Sequence, residues 1–265
     1  MNNAEAIELA EIARMVAGES GIIAMKAFAR REESVIHKGA VDLVTQTDLA
    51  VEEHITRRLR ELTDFAVLGE EGGLTGSTDG ATWVVDPIDG TTNFSHRVPH
   101  FAVSIGLWSE SHALLGTVLS PVPNECFWCD GSASYLDDDR LPTLQPPELA
   151  NALLASGFPY DRQTSADNNT GLWGAFMKEC QGLRRFGAAA LDLAWVAAGR
   201  IDGFWEPRLK PWDFAAGAAI VRCAGGRVTD YTDNPLTLSS ESLVAAGPGL
   251  HAEMLKLIAA HYAPC

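Results

Sequence analysis

Apolar residues recur at Ile7, Leu9, Ile12, Met15 and Val16, close to the 3.6-residue period of a helix, and predict one over residues 4–30. A break follows around Gly39. A second helical pattern opens at Asp48 and continues through Leu49, Ile55, Leu59 and Leu62. Phe65-Ala-Val-Leu68 is a short apolar strand that stops at Gly69-Glu-Glu-Gly-Gly73, and a polar, glycine-rich loop leads into WVV at 83–85 as the next strand. From 101 to 140 the pattern is β: FAVSIGLW, HALLGTVLS and ECFWC are short apolar runs separated by turn residues, with a turn at Asp130-Gly131-Ser132. The proline-rich segment LPTLQPPEL, 141–149, reads as a connection between two lobes.

Beyond it, ALLASGF predicts a strand, followed by a polar stretch with Asn168 and Asn169. A helix is predicted from Ala188 to about Ala198 with Gly199 as its stop, and another from near Asp213 to Gly225-Gly226. The strand-like SLVAAG and the amphipathic LHAEMLKLIAAHY complete the pattern. Helices, a β meander, then mixed β and α fit a layered α+β or α/β architecture with two sheets. The expected organisation is an N-terminal α+β lobe over 1–140 and a C-terminal α/β lobe over 141–265, packed as one compact unit.

Composition narrows the function classes. The chain has 265 residues, 46% hydrophobic and 21% charged, enough for a sizeable core. No apolar run approaches the ~20 residues of a membrane span. The opening stretch carries Glu5, Glu8 and Glu11 and reads as an amphipathic helix rather than a secretory signal, so the expectation is a cytoplasmic protein. The net charge of −15 and the scarcity of clustered Lys and Arg argue against direct nucleic-acid contact. An acidic pocket would also repel a phosphate unless bound cations inverted the local field. Of five cysteines, Cys126 and Cys129 form a lone CxxC in a strand, where residues i and i+3 point to opposite faces, so a structural role is expected.

The chemistry concentrates in WVVDPIDGTTNF, 83–94. Read as a turn, Asp86-Pro-Ile-Asp89 brings the first and fourth α-carbons within about 7 Å and lets both carboxylates face a cation. The Ile88 carbonyl is a further oxygen ligand of the kind Mg²⁺ accepts. Gly90 permits close backbone approach, and Thr91 and Thr92 stand where a helical turn can begin and bind an anion. Glu70 and Glu71 end the preceding strand and can reach the same site. Asp213 and Asp48 taken singly read as helix caps; with the others they form a set of convergent acids. His96 and His100 follow the motif and read as structural.

VDLVTQTD (41–48), GEE (69–71), WVVDPIDGTTNF (83–94), PHFAVSIGL (99–107), GAAALDLAWVAAGRIDGFWE (187–206) and LKPWDFAAGAAIVRCAGG (209–226) resemble the inositol monophosphatase family, Mg²⁺-dependent, lithium-sensitive sugar-phosphate phosphatases. The bacterial inositol-1-monophosphatases look closest. The resemblance implies a sugar-phosphatase-like α-β-α-β-α sandwich, usually dimeric. It implies metal ligation by Glu70, Asp86, the Ile88 carbonyl, Asp89 and Asp213. It implies a catalytic role for Glu70 and a water-orienting pair of Asp48 and Thr91. Asp89, Gly90, Thr91 and Thr92 would contact the phosphate, and Arg184, Ala189 and Glu206 the substrate's alcohol portion. Two or three Mg²⁺ ions are implied, with Mn²⁺ as a substitute and Li⁺ and Ca²⁺ as inhibitors. Cys223 stands where the family often has Glu, and Ala188 where Ser or Thr is frequent; the segment 158–180 matches least.

The expected reaction is hydrolysis of inositol 1-phosphate to myo-inositol and phosphate, a polyol monophosphate being the small-molecule partner. Histidinol phosphate, fructose 1,6-bisphosphate and adenosine 3′,5′-bisphosphate are the substrates of rival activities with the same chemistry. A regulatory factor that binds a protein partner is the alternative of another class.

Overall fold

The computed structural model describes residues 2–30, 35–37, 43–77, 80–109 and 112–262. The break expected around Gly39 and residues 41–42 of VDLVTQTD lie outside them. In chain order the elements are α1 (Asn3–Ala29), β1 (Val35–His37), β2 (Leu43–Thr45), α2 (Gln46–Leu62), β3 (Ala66–Gly69), β4 (Gly73–Thr75), β5 (Thr82–Asp89), α3 (Thr91–Ser95), β6 (Ala102–Trp108), β7 (Ala113–Ser120), β8 (Glu125–Cys129), β9 (Ser134–Leu136) and β10 (Asp139–Arg140). After the connection at 141–148 come β11 (Leu153–Ser156), α4 (Thr170–Glu179), β12 (Gly182–Arg184), α5 (Ala189–Ala197), β13 (Gly203–Pro207), α6 (Pro211–Cys223), β14 (Arg227–Thr229), β15 (Ser242–Ala246) and α7 (Pro248–His261).

The segment before the connection builds an eight-stranded sheet in the order β10-β9-β8-β7-β6-β5-β3-β4, antiparallel except where β3 pairs with β5. The segment after it builds a five-stranded sheet, β12-β11-β13-β15-β14, in which β11 runs parallel to both neighbours. Helices α1 and α2 cover one face of the large sheet, and α5 and α6 lie between the two sheets. Helices α4 and α7 cover the far face of the small one. The result is the five-layer α-β-α-β-α sandwich.

Alternation along the small sheet shows why both its faces are covered. Phe204, Ala155 and Ala245 join the main core, while their neighbours Trp205, Leu154 and Val244 join a second cluster with Phe176, Leu250 and Met254. The main core runs without interruption from α1 to β15, across the proline-rich connection. Among the described residues, no helix is long and apolar enough to cross a membrane.

Several boundaries differ from expectation for local reasons. Helix α2 begins two residues before Asp48, because Thr45 caps it and Asp48 returns the bond from the third position of a capping box. Helix α6 begins at Pro211, a residue suited to a first turn, so Asp213 also sits at the third position rather than at the cap. Helix α4 and strand β13 were not anticipated. The largest correction concerns Asp86-Pro-Ile-Asp89, which is not a reverse turn. It continues β5, and the register slips: Asp86 pairs with Ser104 but Asp89 with Ala102, three residues against two. That extra residue is a β-bulge. In an unbroken strand positions 86 and 89 would face opposite ways; the bulge brings them into phase, and Pro87 has no N–H to leave unpaired there.

Candidate active site

One cleft, at the end of β5, is lined by residues from both halves of the chain. Glu70, Asp86, Ile88, Asp89, Gly90, Thr91 and Thr92 come from the large-sheet side, and Ala189, Glu206 and Asp213 from the other. Three helices begin at it: α3 after Gly90, α5 at Ala189 and α6 at Pro211. The first N–H groups of a helix have no acceptor inside it, so each start presents partial positive charge to the cleft. Gly90 makes the turn into α3 with φ of 92°, a left-handed conformation that favours glycine. Asn93 pins this turn by donating from Nδ2 to the carbonyls of His100 and Phe186, both at 2.8 Å.

Asp86 and Asp89 are buried, whereas Glu70 and Asp213 are partly exposed. Asp86 is 2% exposed and its Oδ1 has no hydrogen-bond partner. Burial pushes its carboxyl well above the ordinary range, and Glu70, Asp89, Asp213 and Asp48 add repulsion. Asp89 is pushed up chiefly by burial and also by Asp213 and Asp192, against an N–H from Leu191 that reaches its Oδ2 at 3.1 Å. Asp213 accepts from its own helix start, Lys210 N–H to Oδ2 at 2.7 Å, so the cap and the cleft share one carboxylate.

Asp48 does not line the cleft but stands behind it. It accepts the Thr91 hydroxyl at Oδ1, 3.1 Å away, and the Thr45 N–H and hydroxyl at Oδ2. Burial raises its pKa to about 6, and the hydrogen bonds from Thr45 and Thr91 hold it from going further. The Thr91 hydroxyl also lies 3.1 Å from the Ile88 carbonyl oxygen.

The donor set fits a hard divalent cation. Four carboxylates and a backbone carbonyl are oxygen donors, and a buried carboxylate oxygen without a partner is what such an ion would satisfy. Among the described residues no three His, Cys, Asp or Glu side chains are drawn into a closed ligand group.

On the alcohol side the geometry differs from expectation. Both Arg184 and Arg185 are exposed, but Arg184 Nη1 donates to the carbonyl of Leu183 at 2.9 Å and it is Arg185 that lines the cleft. Strand β12 ends at Arg184, and Arg185, one position beyond it, turns to the cleft side. Asp192, one turn into α5, is 1% exposed, lines the cleft and lies 3.4 Å from His100 Nε2. Its placement near the start of a helix, three residues after Ala189, was the available signal. Glu206 is pushed well above the ordinary carboxyl range by burial and by Asp213 and Asp192, with Arg185 opposing. Its room comes from Gly157, where a Cβ would overlap the Glu206 carboxylate.

These shifts predict an unusual pH response of the metal-free fold. A carboxyl whose folded pKa is raised binds protons more tightly than in the unfolded chain, so its stability contribution is lost as pH rises through the folded value. In EDTA the melting temperature is expected to rise as pH falls from neutral toward about 6, the value to which Asp48 is raised, because Asp86, Asp89 and Glu206 are shifted in the same direction. His251 acts the other way, since burial lowers it to about 4, but only below its unfolded value of about 6.5. The upper part of the interval therefore isolates the carboxyls. A melting temperature that falls steadily with acidification there would contradict the burial of these acids.

The sequence profile of the inositol monophosphatase family matches residues 5–263. An inositol-1-monophosphatase of Caulobacter vibrioides is 39% identical over 243 residues, 86% of this chain and 92% of the relative. The Nus factor SuhB of Pseudomonas aeruginosa is 41% identical over 261 residues, 96% of each chain. The crystal structure of extragenic suppressor protein suhB from Bartonella henselae superposes with a TM-score of 0.88 at 34% identity, covering 95% of this chain and 98% of that one.

Proposed function

Because the chain belongs to the inositol monophosphatase family, we propose that it is a Mg²⁺-dependent phosphate monoester hydrolase whose preferred substrate is inositol 1-phosphate. The observation that carries this is one cleft lined by buried Asp86 and Asp89 together with partly exposed Glu70 and Asp213, beside the Gly90–Thr92 turn, with a partnerless Asp86 oxygen. Glu70, Asp86, the Ile88 carbonyl, Asp89 and Asp213 would hold the metal. Bound Mg²⁺ would lower the pKa of water and neutralise phosphate charge. The N–H groups at the start of α3 receive the phosphate oxygens. Thr91 Oγ1 orients the attacking water, and Asp48 Oδ1, raised to about 6, can take its proton through the Thr91 hydroxyl. Glu206, Asp192 and Arg185 face the leaving alcohol, where carboxylates accept hydrogen bonds from ring hydroxyls. Homodimeric assembly, which rests on the family resemblance, and a cytoplasmic location, which rests on the acidic opening stretch, belong to this reading.

The test is phosphate release with Mg²⁺ from inositol 1-phosphate, histidinol phosphate, fructose 1,6-bisphosphate and adenosine 3′,5′-bisphosphate. Inositol 1-phosphate is expected to show the highest kcat/KM, and EDTA to abolish release. Hydrolysis that resists EDTA would overturn the metal assignment, and another preferred ester would overturn the substrate. Gly157→Ala, which pushes on Glu206, is expected to raise KM for inositol 1-phosphate about 10-fold with a smaller change in kcat.

Relatives named as Nus factors support a second role, a regulatory factor acting through a protein partner. The net charge of −15 disfavours direct nucleic-acid contact. A hydrolysis-dead variant that retained the cellular role would favour this alternative.

A further inference from the structure

Helix α2 carries two buried acids one turn apart, Asp48 and Glu52, 0% and 5% exposed. Residues i and i+4 share a helix face. Asp48 reaches Thr91, as described. Glu52 reaches the other side of the site: its Oε2 accepts the Glu71 N–H at 2.8 Å and its Oε1 the Gly72 N–H at 2.5 Å. The carboxylate fills the hollow of the turn between β3 and β4. A Cβ at Gly69 would lie 2.5 Å from Glu52 Cδ, and one at Gly72 would lie 2.9 Å from Oε1. Glu70 stands between those two glycines. Its backbone is held by the Gly69–Gly73 pairing across the turn and by the two N–H groups that follow it.

We propose that Glu52 is a positioning residue that sets the Glu70 carboxylate for metal binding, so that one face of α2 fixes both Thr91 and Glu70. This rests on the metal-dependent reading of the cleft above. Burying a charge is expensive, and a tight β3–β4 turn needs no buried acid to close it. A carboxylate that accepts two successive N–H groups holds them more firmly than a neutral acceptor does. It fixes the chain within one residue of a proposed metal ligand, where partners of ligands act on affinity. An amide at position 52 would offer one acceptor and turn its NH₂ against the second N–H.

The experiment is Mg²⁺ titration of the full chain by calorimetry, with hydrogen exchange of residues 69–73 measured alongside. Glu52→Gln is expected to weaken Mg²⁺ binding roughly 10-fold and speed exchange at the Glu71 and Gly72 amides. Its turnover should fall at low Mg²⁺ and recover as Mg²⁺ is raised. Glu52→Asp, charged but one methylene shorter, should fall between it and the wild type. Glu53→Gln, on the exposed side of the same helix, should bind as the wild type does. If Glu52→Gln does not fold, Gly72→Ala tests the same contact from the turn side with the charge intact, and the same weakening is expected. Mg²⁺ affinity unchanged in the folded variants, despite faster exchange or a lower melting temperature, would overturn the positioning role. A wild-type chain that fails to bind Mg²⁺ would instead overturn the metal-dependent reading itself.

Discussion

Asp89→Asn is expected to lower Mg²⁺-dependent hydrolysis of inositol 1-phosphate on the order of 10³-fold, the effect of removing one preorganised electrostatic partner from a transition state, without destabilising the metal-free protein. Asp89 is 5% exposed, and its Oδ2 accepts the Leu191 N–H at 3.1 Å. An amide oxygen can keep that bond, so the substitution removes a charge and weakens only the Ala189 N–H that also reaches Asp89. It also relieves repulsion from Asp213 and Asp192, both of which push the Asp89 carboxyl up. The melting temperature in EDTA should therefore stay level or rise while activity collapses. Ordinary misfolding would lower both together, so steady-state phosphate release and a thermal melt separate the two causes. Near wild-type turnover would remove Asp89 from the ligand set.

The same residues show what a sequence reveals and what it conceals. WVVDPIDGTTNF announces a site because two acids, a glycine and two threonines exceed the needs of a strand end. Glu70, Asp86, Asp89, Thr91 and Asp213 do line one cleft, and Asp48 stands behind it on Thr91. The local geometry was less legible. Asp-Pro-Ile-Asp has the composition of a turn, and only pairing with β6 makes it a bulged strand, because register is a property of two strands. The choice between Arg184 and Arg185 turns on where β12 ends, a shift of one residue that reverses a side chain's direction.

Helix α4 escaped notice because Gly171 and Gly174 depress helix propensity, although Leu172, Ala175 and Phe176 keep the spacing of a buried face. Asp192 lies within GAAALDLAWVAAGRIDGFWE but nothing there singles it out, and Glu52 lies outside every motif. Each looks like an ordinary helix acid until another segment packs on it: His100 on Asp192, and the turn after Glu70 on Glu52. A residue whose role depends on a distant backbone contact leaves little trace in its own neighbourhood.

Gly116→Ala is expected to destabilise the fold by about 3 kcal/mol and lower the melting temperature by roughly 6–12 °C. Gly116 and Gly106 pair across β7 and β6 and form a window in the large sheet. Helix α6 lays its backbone on this window. A Cβ at Gly116 would lie 2.7 Å from Ala216 Cα and 2.8 Å from its carbonyl carbon, and would overlap its oxygen. A flexible side chain could swing aside, but a helix backbone packed between two sheets must move as a unit. That movement reaches the site, since Asp213 begins the same helix and Asp86 lies on β5 beside β6. Mg²⁺ affinity should therefore fall along with stability, although Gly116 does not line the cleft. Gly174→Ala is the matched control: it adds the same methyl within α4, where nothing lies within 4 Å, and should stabilise by about 0.5–1 kcal/mol. Equal melting temperatures for the two variants would show that α6 does not rest on the glycine window.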